Sequence, residues 1–252
     1  MDKKYWVPAI ERADKVITII ANESGKLKLM EIAKKSDMNK SSLFSLLNTL
    51  EELRWVYKEV DQSYSLGSKL GFLSAQFIQQ YDLTTYFDRE AAKSVEKVQE
   101  AIQLSILEGS DIIYIAKKEG HQRVRINTSP GMRAPAHATA MGKVMLSSLT
   151  GDDLIEGYKD KEFEKVTDMT VDNLDHLLEQ INSLKENGYI IESQEAVKGF
   201  TCIAAPILNE RQEIIAAVSY TMTIDNWRRK SEVCKEEIIS LAKRISINSI
   251  DN

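Results

Sequence analysis

The chain of 252 residues is 43% hydrophobic and 28% charged, a composition typical of a globular protein. It contains no run of about 18 apolar residues, and its start, "MDKKYWVPAI", lacks the apolar stretch of a secretory signal. Cys202 and Cys234 are too few for a disulfide framework and fit a reducing compartment. The pattern argues against a membrane-spanning or disulfide-rich secreted protein and predicts a cytoplasmic location.

Charge is unevenly distributed along the chain. Residues 1–70 carry 12 Lys and Arg against 10 Asp and Glu, whereas residues 71–252 carry 21 against 28. The first part can approach a polyanion, while the second would repel one. The excess of positive charge in the first part is small, so the local residue pattern has to decide whether that part binds nucleic acid.

Three short helices are predicted at the start of the chain. The segment "PAIERADKVITIIAN", Pro8 to Asn22, has apolar residues at helical spacing and a proline suited to the first turn. The segment "LKLMEIAKKS" predicts a second helix, and "SDMN" interrupts it before a third, for which Asn39 is a good N-cap. A tight turn between the second and third helices defines a helix-turn-helix.

A β-hairpin is predicted after Leu53. In "WVYKEVDQSYSLG" apolar and polar residues alternate on both sides of an Asp61-Gln62 turn. A hairpin at this position is the wing of a winged helix-turn-helix.

The third helix has an unusual polar face. We expect its leucines to face the core: Leu43, Leu46, Leu47, Leu50 and Leu53. The opposite side presents small hydrogen-bonding groups, which suit base edges and phosphates in the major groove, and Phe44 could contact a thymine methyl. The plainer alternative is a solvated helix face. We predict DNA contacts from Lys40, Ser41, Ser42, Phe44, Ser45, Asn48 and Lys58.

The chain resembles the IclR (isocitrate lyase regulator) family of bacterial transcription factors from about residue 9 to residue 223. The segments that carry the resemblance are "LMEIAKKSDMNKSSLFSLLNTLEELRWV", "YSLGSKL", "PGMRAPAHATAMGKVMLS" and "NGYIIESQEAVKGFTCIAAPILNERQEIIAAVSYT". In the third helix, Ser45 stands where the family usually has arginine, and Phe44 where histidine or tyrosine is frequent. The resemblance implies a regulator that binds double-stranded operator DNA.

Three regions follow from these patterns. We predict a winged helix-turn-helix domain over residues 1–67, a linker helix over 68–88 and a GAF-like effector-binding domain over 89–252. The linker is amphipathic, with Leu70, Leu73, Phe77 and Ile78 in one stripe. Similar proteins dimerise through this helix and the first domain, so we expect a homodimer or a tetramer. The alternative is that Leu73 and Phe77 cover the core of their own domain.

The third region alternates helices and strands. We predict a helix at 82–100, two strands around the turn Glu108 to Asp111, a third strand in "RVRINT" and a type II turn at Pro130-Gly131. Helices at 138–149 and 171–187, strands at 189–194, 201–208 and 213–223, and a last helix at 227–247 follow. This order suits an α+β domain with helices over an antiparallel sheet.

A small-molecule site is predicted in the third region. Ser219 and Thr221 are two residues apart on a predicted strand and so share one face. Apolar neighbours surround them, so their hydroxyls need a partner. The helix that starts in "HATAMG" could offer amides to a carboxylate. These features predict a small polar or anionic ligand. The alternative is a closed core in which both hydroxyls bond backbone.

The resemblance assigns effector-binding roles to six residues: Ala140, Met141, Glu192, Cys202, Ser219 and Thr221. Glu192 departs from the aspartate that is usual in the family, and Thr221 departs from serine. Both replacements add bulk. An ionised Glu192 would repel a carboxylate, unless the ligand offers a hydroxyl or an ammonium group or burial keeps the glutamate protonated.

Other chemistries have weaker support. Cys202 with His137 lacks a third orienting residue, and the three histidines and two cysteines lack metal-ligand spacing. Arg123, Arg125 and Arg133 fit a solvated face better than an anion site. We therefore predict a ligand-responsive DNA-binding regulator, more often a repressor than an activator, without cofactor, metal or enzymatic activity. The alternative is a small-molecule sensor or hydrolase-like enzyme whose winged helix contacts other proteins.

Overall fold

The computed structural model describes residues 6–79, 83–149, 151–158 and 163–248. The chain divides into two compact units, residues 1–80 and 81–252. The division falls inside the segment predicted as the linker. Within the described residues, no helix combines the length and apolarity that a membrane crossing requires.

The first unit is a three-helix core with a small antiparallel sheet, as predicted. The strand order is β1-β3-β2. Val16, Ile20, Ile32, Leu43 and Leu47 are buried in its core. Its elements are α1 (Pro8–Asn22), β1 (Leu27–Lys28), α2 (Leu29–Ser36), α3 (Lys40–Glu52), β2 (Val56–Lys58), β3 (Ser63–Leu66) and α4 (Ser68–Gln79).

The turn between α2 and α3 has the predicted chemistry. Asp37 ends α2 in the left-handed conformation, with φ of 58°. Asn39 caps α3, and its side chain accepts a hydrogen bond from the Ser42 amide at 2.8 Å. This cap satisfies one of the amides that a helix leaves unpaired at its start.

The second unit is an α+β domain built on a six-stranded sheet. Its strand order is β6-β5-β4-β9-β8-β7, and every pairing is antiparallel. Helices α5 and α9 pack on each other and on the sheet, and α6 packs on the sheet and on α8. The elements are α5 (Leu83–Val98), β4 (Ala101–Glu108), β5 (Asp111–Lys118), β6 (Arg133–Pro135), a 3-10 helix (Ala136–Ala138), α6 (Ala140–Leu146), α7 (Gly151–Tyr158), α8 (Leu174–Asn187), β7 (Ile190–Ser193), β8 (Phe200–Leu208), β9 (Ile214–Thr223) and α9 (Ile224–Asn248).

Two turns of the second unit match the prediction. Strands β4 and β5 are joined through Gly109 and Ser110, and Gly109 has a φ of 64°. At the predicted type II turn, Gly131 has a φ of 89° and the Met132 amide donates to the Ser129 carbonyl at 3.1 Å. Positive φ at the third turn position is the reason for glycine there.

Two predictions about individual elements were wrong. The segment "RVRINT" forms no strand, and β5 pairs instead with β6. Its carbonyls at Ile126 and Thr128 accept hydrogen bonds from the Lys117 ammonium, each at 3.1 Å, and Val124 is exposed. Leu53, expected to face the core, is 52% exposed because α3 has already ended there.

Candidate functional site

The polar face of α3 is exposed. Leu43, Leu47 and Leu50 are buried in the core of the first unit, so the opposite side of the helix faces solvent. The structure places the predicted DNA contacts as follows: Lys40, Ser41, Phe44, Ser45 and Asn48 are exposed, whereas Ser42 and Lys58 are partly buried. Within the first unit, one continuous side of α3 is therefore exposed, and a helix of this kind fits the major groove of DNA.

Two of the polar side chains on this face have no partner among the residues that the structure describes. The Ser41 hydroxyl donates to Oδ1 of Asn39 at 2.9 Å, so it is partly used by the helix cap. In the part of the chain that the structure describes, the side chains of Ser45 and Asn48 form no hydrogen bond. Unpaired donors and acceptors on one face are what direct readout of base edges requires.

A shallow groove lies beside Phe44, between α3, the start of α2 and the wing. Its volume is about 200 Å³. Phe44 and Lys58 were predicted as contacts, whereas the other members were not predicted, because β1 has only two residues and its pairing with β3 leaves no local pattern. The residues around the groove are Lys28, Leu29, Met30, Phe44, Lys58, Gln62 and Tyr64. The two lysines give this edge of the surface a positive charge suited to phosphates.

The second unit contains a cavity of about 220 Å³. Its floor is the sheet, with side chains from β4, β5, β8 and β9. Residues 126–128 and 132–135 form one wall, and residues 138–141, at the start of α6, form another. Three further residues, Val166, Ala196 and Val197, which we call the roof, complete the lining.

The floor of the cavity carries a chain of hydrogen bonds. The Thr221 hydroxyl donates to Oε1 of Gln103 at 3.1 Å and lies 3.4 Å from Sγ of Cys202. The Gln103 amide nitrogen in turn donates to the Thr128 hydroxyl at 2.5 Å. The chain of bonds fixes which way the Gln103 amide points and joins the floor to the neighbouring wall.

Ser219 and Tyr114 present hydroxyl groups to the same cavity. Ser219 is 1% exposed, and within the described residues its hydroxyl has no hydrogen-bond partner. Burial raises the pKa of the Tyr114 phenol, so Tyr114 stays neutral. A buried hydroxyl that bonds nothing in the protein is available to a ligand.

Five of the six predicted effector residues line this cavity: Ala140, Met141, Cys202, Ser219 and Thr221. The sixth, Glu192, is buried but is not part of the lining. Its Oε1 accepts hydrogen bonds from the backbone amides of Glu195 and Ala196, the latter at 3.1 Å. Glu192 therefore supports the loop that carries two roof residues.

Burial controls the charge of the groups around the cavity floor. It raises the pKa of Glu192 to about 7, although the two amide hydrogen bonds and Lys143 oppose the rise. Burial also raises the pKa of the Cys202 thiol well above its ordinary value. Cys202 is therefore a neutral thiol at physiological pH, which does not suit a nucleophile.

Sequence reasoning missed Gln103, Tyr114 and Thr128. Gln103 could have been noticed, because it is the one amide side chain in the largely apolar run "AIQLSIL". Thr128 could not, because it lies in "RVRINT", which was assigned to a strand, and Tyr114 could not, because a place on a predicted strand does not show that a side chain faces a cavity.

His137 does not form a catalytic pair with Cys202. Its Nε2 lies 3.1 Å from the Glu164 carbonyl oxygen, its ring packs against Phe163 at a centroid distance of 5.2 Å, and it is absent from the cavity lining. Among the described residues, no three His, Cys, Asp or Glu side chains converge as metal ligands.

The fold and these two surfaces together define a class of protein: a regulator with a winged helix-turn-helix and a separate ligand-sensing domain. Comparison with known proteins gives the family. The model of the IclR helix-turn-helix domain matches residues 9–59, and that of the bacterial transcriptional regulator IclR C-terminal domain matches residues 75–247. The chain belongs to the IclR family of bacterial transcriptional regulators.

Relatives cover most of the chain. The HTH-type transcriptional regulator KdgR of Dickeya chrysanthemi is 29% identical over 231 residues, which are 91% of this chain and 74% of that protein. The HTH-type transcriptional repressor AllR of Salmonella typhimurium is 24% identical over 234 residues, 90% of this chain and 86% of that protein. These relatives are named as transcriptional regulators, so the alternative of a hydrolase-like enzyme is not supported.

Solved structures confirm the predicted fold class, an N-terminal helix-turn-helix followed by an α+β domain. A transcriptional regulator from Rhodococcus sp. RHA1 superposes with a TM-score of 0.81 at 24% identity, covering 96% of this chain and 97% of that one. An IclR homologue from Microbacterium hydrocarbonoxydans, complexed with 4-hydroxybenzoate, gives 0.77 at 20% identity, covering 95% and 98%.

Proposed function

We propose that this regulator is a repressor, that its homodimer binds two-fold operator DNA through α3, and that a small polar or carboxylate effector in the cavity changes DNA affinity. The observation that carries the proposal is the cavity floor, where the buried Ser219 hydroxyl has no hydrogen-bond partner among the described residues and lies beside a hydrogen-bonded Gln103. A few convergent polar groups in a mostly apolar cavity are typical of ligand pockets.

The cavity favours a ligand with at most one negative charge. Arg133 is the only permanently charged side chain among the lining residues, and it also pairs with Glu108 and Asp111. Tyr114 and Cys202 are neutral because burial raises their pKa values. A hydroxyl or carboxylate oxygen could reach Ser219, while apolar residues such as Met141 and Val197 surround the rest. The 4-hydroxybenzoate in the complex of the Microbacterium relative is a ligand of this type.

The assignment of α3 to DNA rests on its exposed, unpaired polar groups. One module reads only a few base pairs, so selection of one site in a genome requires two modules on a two-fold site. Exposed apolar side chains on α4 support pairing of two copies, since Phe72 is 56% exposed and Leu73 42% exposed. The name of AllR, a transcriptional repressor, supports the sign of regulation.

Mass spectrometry of the native protein under non-denaturing conditions tests the effector proposal. We expect a small molecule to copurify in stoichiometric amount, and we expect Ser219→Ala to reduce its occupancy. Ser193→Ala is the matched control, because Ser193 is a hydroxyl residue of the same domain that does not line the cavity. Equal occupancy in wild type and both variants would place the bound molecule elsewhere.

A further inference from the structure

A buried ion pair lies next to the cavity but outside its lining. Lys143 in α6 is 0% exposed, and its ammonium group lies 2.6 Å from Oε1 of Glu195. The other carboxylate oxygen, Oε2, accepts a hydrogen bond from the Val171 amide at 3.0 Å. Neither charged residue reaches the cavity surface. The pair is therefore not a direct ligand contact.

The backbone of Glu195 joins three parts of the domain. Its carbonyl accepts hydrogen bonds from the Thr170 hydroxyl at 2.8 Å and the Thr167 hydroxyl at 3.2 Å. Its amide donates to Oε1 of Glu192 on β7. Together with Lys143, these contacts tie α6, the segment 167–171 and the end of β7 to one residue.

The roof of the cavity consists of the immediate neighbours of these tied segments. Val166 precedes Thr167, and Ala196 and Val197 follow Glu195 directly. Both parts of the roof are therefore anchored at Glu195, one through the Thr167 hydrogen bond and the other through the chain itself. Since α6 also supplies cavity residues from its first turn, the Lys143–Glu195 pair fixes the distance between the roof and one wall.

We propose that Lys143 and Glu195 are positioning residues that hold the roof closed over the effector cavity. The proposal rests on the proposed function, because it assigns the pair to the effector site. A buried ion pair is a poor source of stability, since desolvation offsets most of the attraction between its charges. Removing one partner leaves an unpaired buried charge, whereas removing both charges does not. Each single variant should therefore lose more stability than the double variant.

The rate of Cys202 alkylation in the full chain, freed of small molecules, measures how well the roof shields the cavity. Cys202 lies on the cavity floor, whereas Cys234 is buried away from it, with its thiol 3.8 Å from the Met222 sulfur. We expect iodoacetamide to label Cys202 at least about tenfold faster in Lys143→Met and in Glu195→Gln than in wild type. The Cys234 rate should not change. In the double variant, the Cys202 rate should stay raised because the link between α6 and the roof is still missing, whereas stability should recover because no buried charge is left unpaired.

The direction of the expected change separates opening from altered thiol chemistry. Lys143 lowers the pKa of the Cys202 thiol, so removing its charge alone would slow alkylation. Faster labelling of Lys143→Met therefore reports access. Lys198→Met, which removes an exposed ion pair with Asp168, is the control and should label like wild type.

Two outcomes would overturn the proposal. One is a Cys202 rate that stays at the wild-type value in both single variants or returns to it in the double variant. The other is a parallel rise for Cys202 and Cys234 in the single variants, because this pattern reports general unfolding. Neither result depends on DNA binding or on an effector, so the test separates failure of this proposal from failure of the proposed function.

Discussion

Thr221 donates its hydroxyl proton to Oε1 of Gln103 at 3.1 Å, from the strand next to that of Gln103. The same hydroxyl oxygen lies 3.4 Å from the Cys202 thiol. Thr221 is therefore occupied within the protein, whereas Ser219, two residues earlier on the same face, is not. Both hydroxyls were predicted as ligand contacts, but the structure gives them different surroundings.

We expect the two residues to respond differently to substitution. Ser219→Ala removes a group that is free for the ligand, so effector affinity should fall by about 0.5–1.5 kcal/mol or more, the range for one hydrogen bond. Thr221→Val keeps the volume but releases the Gln103 amide, which should broaden the choice of ligand. Isothermal titration with the copurified molecule measures the first effect, and competition among analogues measures the second.

The double variant, Ser219→Ala with Thr221→Val, should lose the response to effector and keep its DNA affinity. The second unit should stay folded, because both substitutions preserve volume and neither leaves a buried charge. Circular dichroism and DNA titration without effector provide the controls. If the double variant responds at the same effector concentration as wild type, the effector does not bind at this floor.

The DNA surface gives a second prediction. Lys40→Ala should weaken binding to all duplexes similarly and lower the salt slope by about one, because a phosphate contact carries no sequence information. Asn48→Ala should cost about 1–3 kcal/mol on the preferred site and much less on others, as a lost base contact does. Anisotropy titrations at several salt concentrations measure both quantities.

Lys185→Ala, an exposed lysine in the other unit, is the control for charge alone. Lys40→Ala and Asn48→Ala variants that both bind like wild type would remove α3 from the interface. An Asn48→Ala variant that lost affinity equally on every duplex would change its role from base reading to backbone contact.

Much of the fold followed from local signals in the sequence. Local sequence determines the Asn39 cap, the Pro130-Gly131 turn and the burial of the α3 leucines, since each depends on neighbouring residues or on the helical period. These features could therefore be predicted from the sequence. The strand assignment of "RVRINT" failed because alternation does not reveal whether a partner strand exists. Lys117 binds the carbonyls of that segment from a strand nearby, and no local pattern predicts that contact.

The site was predictable only in part for the same reason. The pair Ser219 and Thr221 was visible as a period of two on an apolar strand. The placement of Glu192 behind the cavity depends on two backbone amides of a loop, at Glu195 and Ala196. A contact between a side chain and a distant backbone leaves no signal in residue type, so resemblance alone had placed Glu192 in the lining.

Assembly gives a third prediction. The expected stripe on α4 includes Leu70, half-buried in the structure, and Leu73, while the side chain of Phe77 lies outside the described residues. We expect the wild-type chain to be a dimer at micromolar concentration. Leu73→Glu should shift it toward monomer, because a charge would be buried at the contact. Light scattering measures the mass.

Ser74→Glu adds the same charge at the next exposed position of α4 and should leave the dimer intact. A wild-type chain that is monomeric with and without DNA would contradict the dimer. Equal masses for Leu73→Glu and wild type would instead place the contact on another surface.

Glu192 gives a fourth prediction, which concerns pH. Burial raises its pKa in the folded state to about 7, above the ordinary value of about 4.3. The folded state therefore binds this proton more tightly than the unfolded state. The contribution of Glu192 to stability should fall as pH rises from about 4.3 to 7 and then level off, with a total change of about 4 kcal/mol.

Glu192→Gln cannot ionise, so we expect it to gain stability relative to wild type as pH rises from 5 to 8. Scanning calorimetry of both chains at several pH values measures the difference. Glu186→Gln, an exposed glutamate on α8, should show no such trend. A constant difference between Glu192→Gln and wild type across this range would show that Glu192 is ionised throughout.

The central claim is that a ligand in the second unit controls DNA binding by the first. The most direct measurement is an anisotropy titration of a duplex selected from random sequences, with protein freed of small molecules and with the same protein reloaded with the copurified compound. We predict a preference over a scrambled duplex of at least about 10³-fold and a shift of about 5–150-fold between the two protein states. Equal affinity of both states for the selected duplex, or equal affinity for the selected and scrambled duplexes, would contradict the claim.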